Sequence, residues 1–211
     1  MGNYKYVSKN EVRPYEELFE EVFRKIQKEL KKKNGLTFSF ALVGSAKRNL
    51  VVRHHNKGFD CDYQLYLQKN KQELSAEEIK KLLIKKFDEK MPIKFDYCED
   101  STSSITIKKE ITKQSRIEFS YDIVIMDLYE DASYILRKNG SGQYVWNQLP
   151  DFTSFEDDYS QIDGADMWEN LRQCYYDKKI AKNNGSPKYK DKKSFQLLHQ
   201  AVKETLQKFH I

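Results

Sequence analysis

The segment Phe59-Asp60-Cys61-Asp62-Tyr63-Gln64-Leu65-Tyr66-Leu67 alternates apolar and polar or amphipathic residues with a period of two. That period is the mark of a β-strand with one face to bury. Phe59, Cys61, Tyr63, Leu65 and Leu67 take the apolar face, and Asp60 and Asp62 project together from the other. Aspartate is disfavoured in strands. Two adjacent like charges also repel, so an arrangement that forces them together suggests a cation between them. The plain alternative is an exposed edge strand with ordinary surface carboxylates.

A third carboxylate stands in a similar setting. Asp122 interrupts Phe119-Ser120-Tyr121-Asp122-Ile123-Val124-Ile125-Met126, an otherwise apolar, strand-forming run. A charge there is costly unless it is paired or metal-bound. Neighbouring strands lie about 4.8 Å apart, so Asp122 can reach the ions held by Asp60 and Asp62. The alternative is a strand-end residue in a salt bridge. An apolar strand, Thr37 to Val43, ends in Gly44-Ser45, fifteen residues before Asp60. Glycine lets a phosphate approach the backbone, and the serine hydroxyl and loop amides can donate to it. Alone the dipeptide reads equally as a turn, and it gains meaning from the Asp-x-Asp strand that follows.

The remaining periodicities predict an α/β fold: a small mixed sheet with helices on one side, plus a short C-terminal helical segment. A helix is expected from Pro14 to about Lys33, with Leu18, Phe19, Val22, Phe23, Ile26 and Leu30 inward. Ser75 and Glu78 form a capping box that opens a second helix, ending near Met91-Pro92. A polar loop is expected over 46–58. Short strands are expected at Ile93–Tyr97 and Ser103–Lys109, a longer one from Arg116 to Leu128, and a hairpin at 134–148. Lys138-Asn139-Gly140-Ser141-Gly142 lacks the spacing of a phosphate loop and reads as the hairpin turn. After Pro150 the composition changes. Residues 152–164 read as an acidic loop, and helices follow over about 165–179 and 193–208. The expected division is a catalytic domain at 1–150 and a helical segment at 151–211.

No apolar run in the 211 residues reaches membrane-spanning length, and the N-terminus lacks the apolar stretch of a signal peptide. Cys61, Cys98 and Cys174 are too scattered for a disulfide framework or zinc site, which points to a reducing cytoplasm. His54-His55 has no Cys or His cluster near it in sequence to complete a metal site. The net charge of +5 fits a solvated lysine-rich surface and leaves a polyanionic partner open.

Taken together, three stretches resemble the polymerase-beta nucleotidyltransferase superfamily. They are Phe40-Ala41-Leu42-Val43-Gly44-Ser45, Phe59-Asp60-Cys61-Asp62 and Tyr121-Asp122-Ile123-Val124-Ile125. The order of the later elements is similar to that of oligoadenylate synthetases, cGAS and bacterial cyclic-oligonucleotide synthases, with a tail much shorter than that branch's helical lobe. The resemblance implies transfer of a nucleoside monophosphate from a nucleoside triphosphate, with ATP the first expectation, to a hydroxyl, releasing pyrophosphate. It implies magnesium or manganese held by Asp60, Asp62 and Asp122, with Asp122 the candidate general base. It implies Gly44 and Ser45 at the β- and γ-phosphates. It also implies Lys178 or Lys179, together with Ser194, near the triphosphate; by themselves the two lysines read as surface residues at a helix end. The acceptor stays open between a nucleotide, RNA, a small molecule and a protein, and a non-catalytic nucleotide- or RNA-binding relative is the alternative outside enzymes. Tyr134, Tyr144 and Trp146 could stack on a base or pack as core.

Overall fold

The computed structural model describes residues 4–54, 58–111, 116–151 and 153–209. The chain divides into two compact units, Met1–Leu149 and Pro150–Ile211.

The first unit opens with β1 (Tyr4–Tyr6) and α1 (Lys9–Lys33). The helix starts five residues before the expected Pro14. Ser8 and Glu11 form a capping box: the Ser8 hydroxyl accepts from the Glu11 amide at 3.3 Å, and the Ser8 amide donates to the Glu11 carboxylate at 3.2 Å. That local pair decides the start, and Pro14 falls in the second turn. β2 (Leu36–Val43) leads into α2 (Gly44–Lys47). β3 (Val52–His54) pairs with β1 as a separate two-stranded sheet, so the expected polar loop is part helix and part strand. β4 (Phe59–Asn70), α3 (Ala76–Lys90), β5 (Glu99–Asp100), β6 (Ile105–Ile111), β7 (Arg116–Tyr129), β8 (Ala132–Lys138) and β9 (Tyr144–Gln148) complete the unit. Residues 93–97 do not form the expected strand. Phe95 alone is buried, its amide bonding the Pro92 carbonyl in a turn, while Ile93 and Tyr97 are exposed.

The main sheet runs β2-β4-β7-β6-β5, with β8 and β9 continuing from β7. β4 and β7 are parallel and every other pair is antiparallel. The apolar faces of β4 and β7 pack under α1 and α3. Phe19 of α1 stacks on Tyr121 of β7 at 3.9 Å and on Phe87 of α3 at 5.6 Å, and Phe23 stacks on Phe40 of β2 at 4.3 Å. The Tyr121 hydroxyl donates to the Tyr15 carbonyl at 2.7 Å, giving this buried phenol a partner. These contacts fix which face of β4 and β7 is buried. A one-residue slip would invert it.

The second unit holds α4 (Thr153–Gly164), α5 (Trp168–Asn183) and α6 (Ser194–Phe209). The acidic stretch expected as a loop is the helix α4. Asp151 accepts from the Thr153 amide at 2.9 Å at its start, and Phe155 and Ile162, seven residues apart, are both buried. Carboxylates in the first turns suit the helix dipole, so acidity there favours the helix.

β7 and β8 are joined through Glu130 and Asp131, both at positive φ (47° and 62°). A two-residue hairpin turn of this kind favours Asn-Gly. Replacing Glu130 by Asn and Asp131 by Gly is expected to stabilise the fold by about 1 kcal/mol. The check is a higher urea midpoint at unchanged slope.

Candidate active site

Parallel pairing brings the carboxylates together. Asp62 of β4 lies directly beside Asp122 of β7, and Asp60 beside Ser120. Cys61, Tyr63 and Tyr121 point the other way into the core. Burial pushes the Cys61 thiol well up, with the Glu16, Asp62 and Asp60 charges adding to it, so it stays protonated and no nucleophile. Burial likewise raises the Tyr63 and Tyr121 phenols. Asp60 is exposed and Asp62 and Asp122 are half-buried. One oxygen from each of the three lies within 4.8 Å of the others. Three carboxylates so close are a repulsive cluster, and an all-oxygen donor set of this kind fits a hard cation such as Mg²⁺ or Mn²⁺.

Gly44 is built against this cluster. Val43, the last residue of β2, is the cross-strand partner of Asp62. The chain then turns at Gly44 with φ of 66°. A Cβ on Gly44 would meet Asp62 Oδ2 far inside van der Waals contact and lie 3.2 Å from Asp62 Cγ. Only glycine allows both the backbone angle and this approach. The turn is closed behind it by the Leu50 amide, which donates to the Ser45 carbonyl at 2.8 Å. Gly44 and Ser45 therefore sit at the rim of the carboxylate cluster.

Asp122 has partners that sequence reasoning missed. Thr106, its cross-strand neighbour on β6, donates to Asp122 Oδ1 at 2.5 Å, and Ser104 donates to the same oxygen at 3.4 Å. The signal was a polar residue at the centre of Ile105-Thr106-Ile107, where both flanking residues are fully buried. Its significance depends on the β6–β7 register, which the sequence does not state.

In the second unit, Lys179 Nζ donates to Ser194 Oγ at 3.0 Å, so the resemblance-implied lysine and serine meet. Lys178 differs. It is buried, pairs with Glu204 at 2.5 Å and lies over the Tyr189 ring at 5.5 Å, which makes it a helix-packing residue. Tyr144 is also committed structurally, donating to the Asp100 carboxylate, and Trp146 packs against the core. Asn139 Oδ1 accepts from the amides of Ser141 and Gln143, both at 3.0 Å, so 138–142 is the hairpin turn. His54 ends β3, and His55 lies outside the described residues. No helix among the described residues is long and apolar enough to cross a membrane.

No protein-family model matches the sequence, and no curated protein matches it. Solved structures do. Vibrio cholerae DncV in its 3'-deoxy GTP-bound form is 13% identical, with a TM-score of 0.58 over 93% of this chain and 65% of that one. The V. cholerae di-nucleotide cyclase DncV with GTP is 13% identical, with a TM-score of 0.55 over 81% of this chain and 49% of that one. Elizabethkingia meningoseptica CdnE, a cyclic dinucleotide synthase with GTP and Apcpp, is 13% identical, with a TM-score of 0.54 over 87% of this chain and 67% of that one. The chain thus spans about half to two thirds of the length of these neighbours.

The Gly44–Asp62 contact makes a direct prediction. Gly44→Ala is expected to destabilise the chain by about 1–2 kcal/mol through its backbone angle, plus the clash. Asp62→Ala removes the contacts to Oδ2 and Cγ, so the double variant should cost less than the two single costs added together. A urea-denaturation cycle on the four proteins measures this, and strict additivity would mean that Gly44 does not press on Asp62.

With this topology and these neighbours, the chain shares the fold of the bacterial cyclic dinucleotide synthases DncV and CdnE.

Proposed function

We propose that this protein is a divalent-metal-dependent nucleotidyltransferase whose donor is a purine nucleoside triphosphate and whose acceptor is a hydroxyl of a second nucleotide. The observation that carries the reading is the convergence of Asp60, Asp62 and Asp122 on the polar face of β4 and β7, beside Gly44-Ser45. The fold supports it, and the nucleotides bound in DncV structures, GTP, 3'-deoxy GTP and 3'-deoxy ATP, support the donor class. ATP remains the first donor to test.

In the proposed reaction the acceptor oxygen forms a bond to the α-phosphorus. The bond from that phosphorus to its bridging oxygen breaks, and pyrophosphate leaves with the electron pair. Asp122 accepts the acceptor's proton, held in orientation by Thr106 and Ser104. Asp60 and Asp62 would hold both magnesium or manganese ions and Asp122 one of them. When bound, the metal supplies charge neutralisation at the phosphates and activation of the attacking hydroxyl. Gly44 lets the triphosphate approach the backbone without a side chain in the way, and the Ser45 hydroxyl donates to its β- and γ-phosphates. Within the second unit, Lys179 of α5 is the lysine that meets Ser194. Lys178, bound to Glu204, keeps α5 and α6 together. The work of such a site is positioning and charge neutralisation more than covalent chemistry.

Incubation with each labelled nucleoside triphosphate and Mg²⁺ or Mn²⁺, with product analysis, tests the reaction and identifies the acceptor. Asp62→Asn is expected to abolish pyrophosphate release. Without metal it should be as stable as the parent or slightly more so, since one repelling charge is gone. Stabilisation by metal and nucleotide should shrink. Near-parental pyrophosphate release by Asp62→Asn would overturn the assignment.

A further inference from the structure

One buried charge has no part in the mechanism above. Lys80 of α3 is 1% exposed, a costly place for an ammonium unless it is fully paired. Its Nζ donates to the Ser101 carbonyl at 2.6 Å and pairs with Asp100 Oδ1 at 2.9 Å. Lys138 of β8 pairs with Asp100 Oδ2 at 2.8 Å, and Tyr144 of β9 donates to the same carboxylate. The Lys138 amide donates to the Thr102 carbonyl at 2.8 Å. Burial alone would raise the Asp100 carboxyl, but its bonds to Lys138, Tyr144 and Lys80 hold it down at about 2, so it carries its charge throughout the working range. Asp100 and the loop 101–104 that follows it are thus tied together from α3, β8 and β9.

This loop leads to the third carboxylate. Ser101 Oγ lies 3.2 Å and Ser104 Oγ 3.3 Å from Thr106 Oγ1, and Thr106 donates to Asp122 Oδ1, which Ser104 also reaches. Two hydroxyls therefore reach one carboxylate oxygen, and a third, on Ser101, backs Thr106 in a nearly closed position, Thr106 being 8% exposed. Valine would serve a β-strand equally well there, so packing gives no reason for the hydroxyl. Hydrogen bonds of this kind fix a ligand's torsion and are worth about 10–100-fold in metal affinity.

We infer that Thr106 is a positioning residue for Asp122, and that the buried Lys80–Asp100 pair holds the loop that supports it. The inference rests on the nucleotidyltransferase reading, in which Asp122 helps hold metal. Three variants separate the possibilities: Thr106→Val removes the hydroxyl at nearly constant volume, Thr106→Ser keeps it, and Lys80→Met fills the same space while leaving Asp100 its Lys138 and Tyr144 partners. Mn²⁺ binding is read directly from the electron paramagnetic resonance signal of the free ion, beside the Mn²⁺ concentration for half-maximal pyrophosphate release and the urea midpoint.

Thr106→Val is expected to weaken Mn²⁺ by about tenfold or more, with a matching rise in metal requirement. Thr106→Ser should bind near the parental level, and Lys80→Met should shift in the same direction by less than Thr106→Val. A folded Thr106→Val protein with parental Mn²⁺ affinity would overturn the role of Thr106, as would Thr106→Ser being equally defective. Parental affinity in Lys80→Met would overturn the role of the pair. If the parent itself binds no Mn²⁺ and Asp62→Asn changes nothing, the nucleotidyltransferase reading fails and this inference with it. That result differs from a parent that binds and turns over while Thr106→Val matches it.

Discussion

Mutual repulsion among Asp60, Asp62 and Asp122 is the constraint around which the rest of the first unit is arranged. Without a cation their crowding favours separation, so other interactions must hold them together. The parallel β4–β7 ladder does this from below, setting Asp62 beside Asp122. The aromatic stack of Phe19, Tyr121 and Phe87 holds the ladder's other face against the helices. An offset of one residue in either strand would place carboxylates in that stack and phenyl rings in water. Core burial thus supplies the force that keeps like charges close, and it acts through strand alternation.

The surroundings of the cluster are asymmetric in a chemically useful way. At Asp62 the neighbouring group is a glycine, and backbone comes close enough that no side chain can intervene. At Asp122 the neighbours are hydroxyls that donate to one oxygen. The first arrangement leaves backbone open to close approach, and the second restrains a carboxylate; in the proposed reaction these would admit a phosphate chain and orient the group that meets an ion and the acceptor's proton. Polar groups elsewhere serve structure. Lys178 and Glu204 join two helices, and Asn139 closes a hairpin turn. Lysine and glycine-serine sequences that look alike in one dimension separate clearly once their partners are visible.

Sequence reasoning went furthest where local periodicity and burial agree. Phe59 to Leu67 could be only one kind of strand, and its apolar positions identify the buried face without any knowledge of its neighbours. It fell short where a local polar contact competes with a stronger visual cue. Ser8-x-x-Glu11 outweighed Pro14 at the start of α1. Acidic residues after Pro150 suggested a loop, although the same charges favour a helix start and Phe155 and Ile162 provide its buried side. At 93–97 two of the apolar residues, Ile93 and Tyr97, remain outside the core.

By itself the sequence determined the identity of the acidic strand residues, the side of the sheet each occupies and the glycine-serine turn preceding them, because strand alternation and glycine's freedom at positive φ are local properties. Tertiary structure decided everything that depends on register between distant segments. It set Asp122 beside Asp62 and Thr106 beside Asp122. It assigned Lys179, and not Lys178, to Ser194, because burial gave Lys178 to Glu204. It also gathered Lys80, Lys138 and Tyr144, from α3, β8 and β9, around the Asp100 carboxylate of β5. No local pattern encodes such meetings, since each is fixed by how strands pair and helices pack, and those choices are made by the burial of the whole core at once.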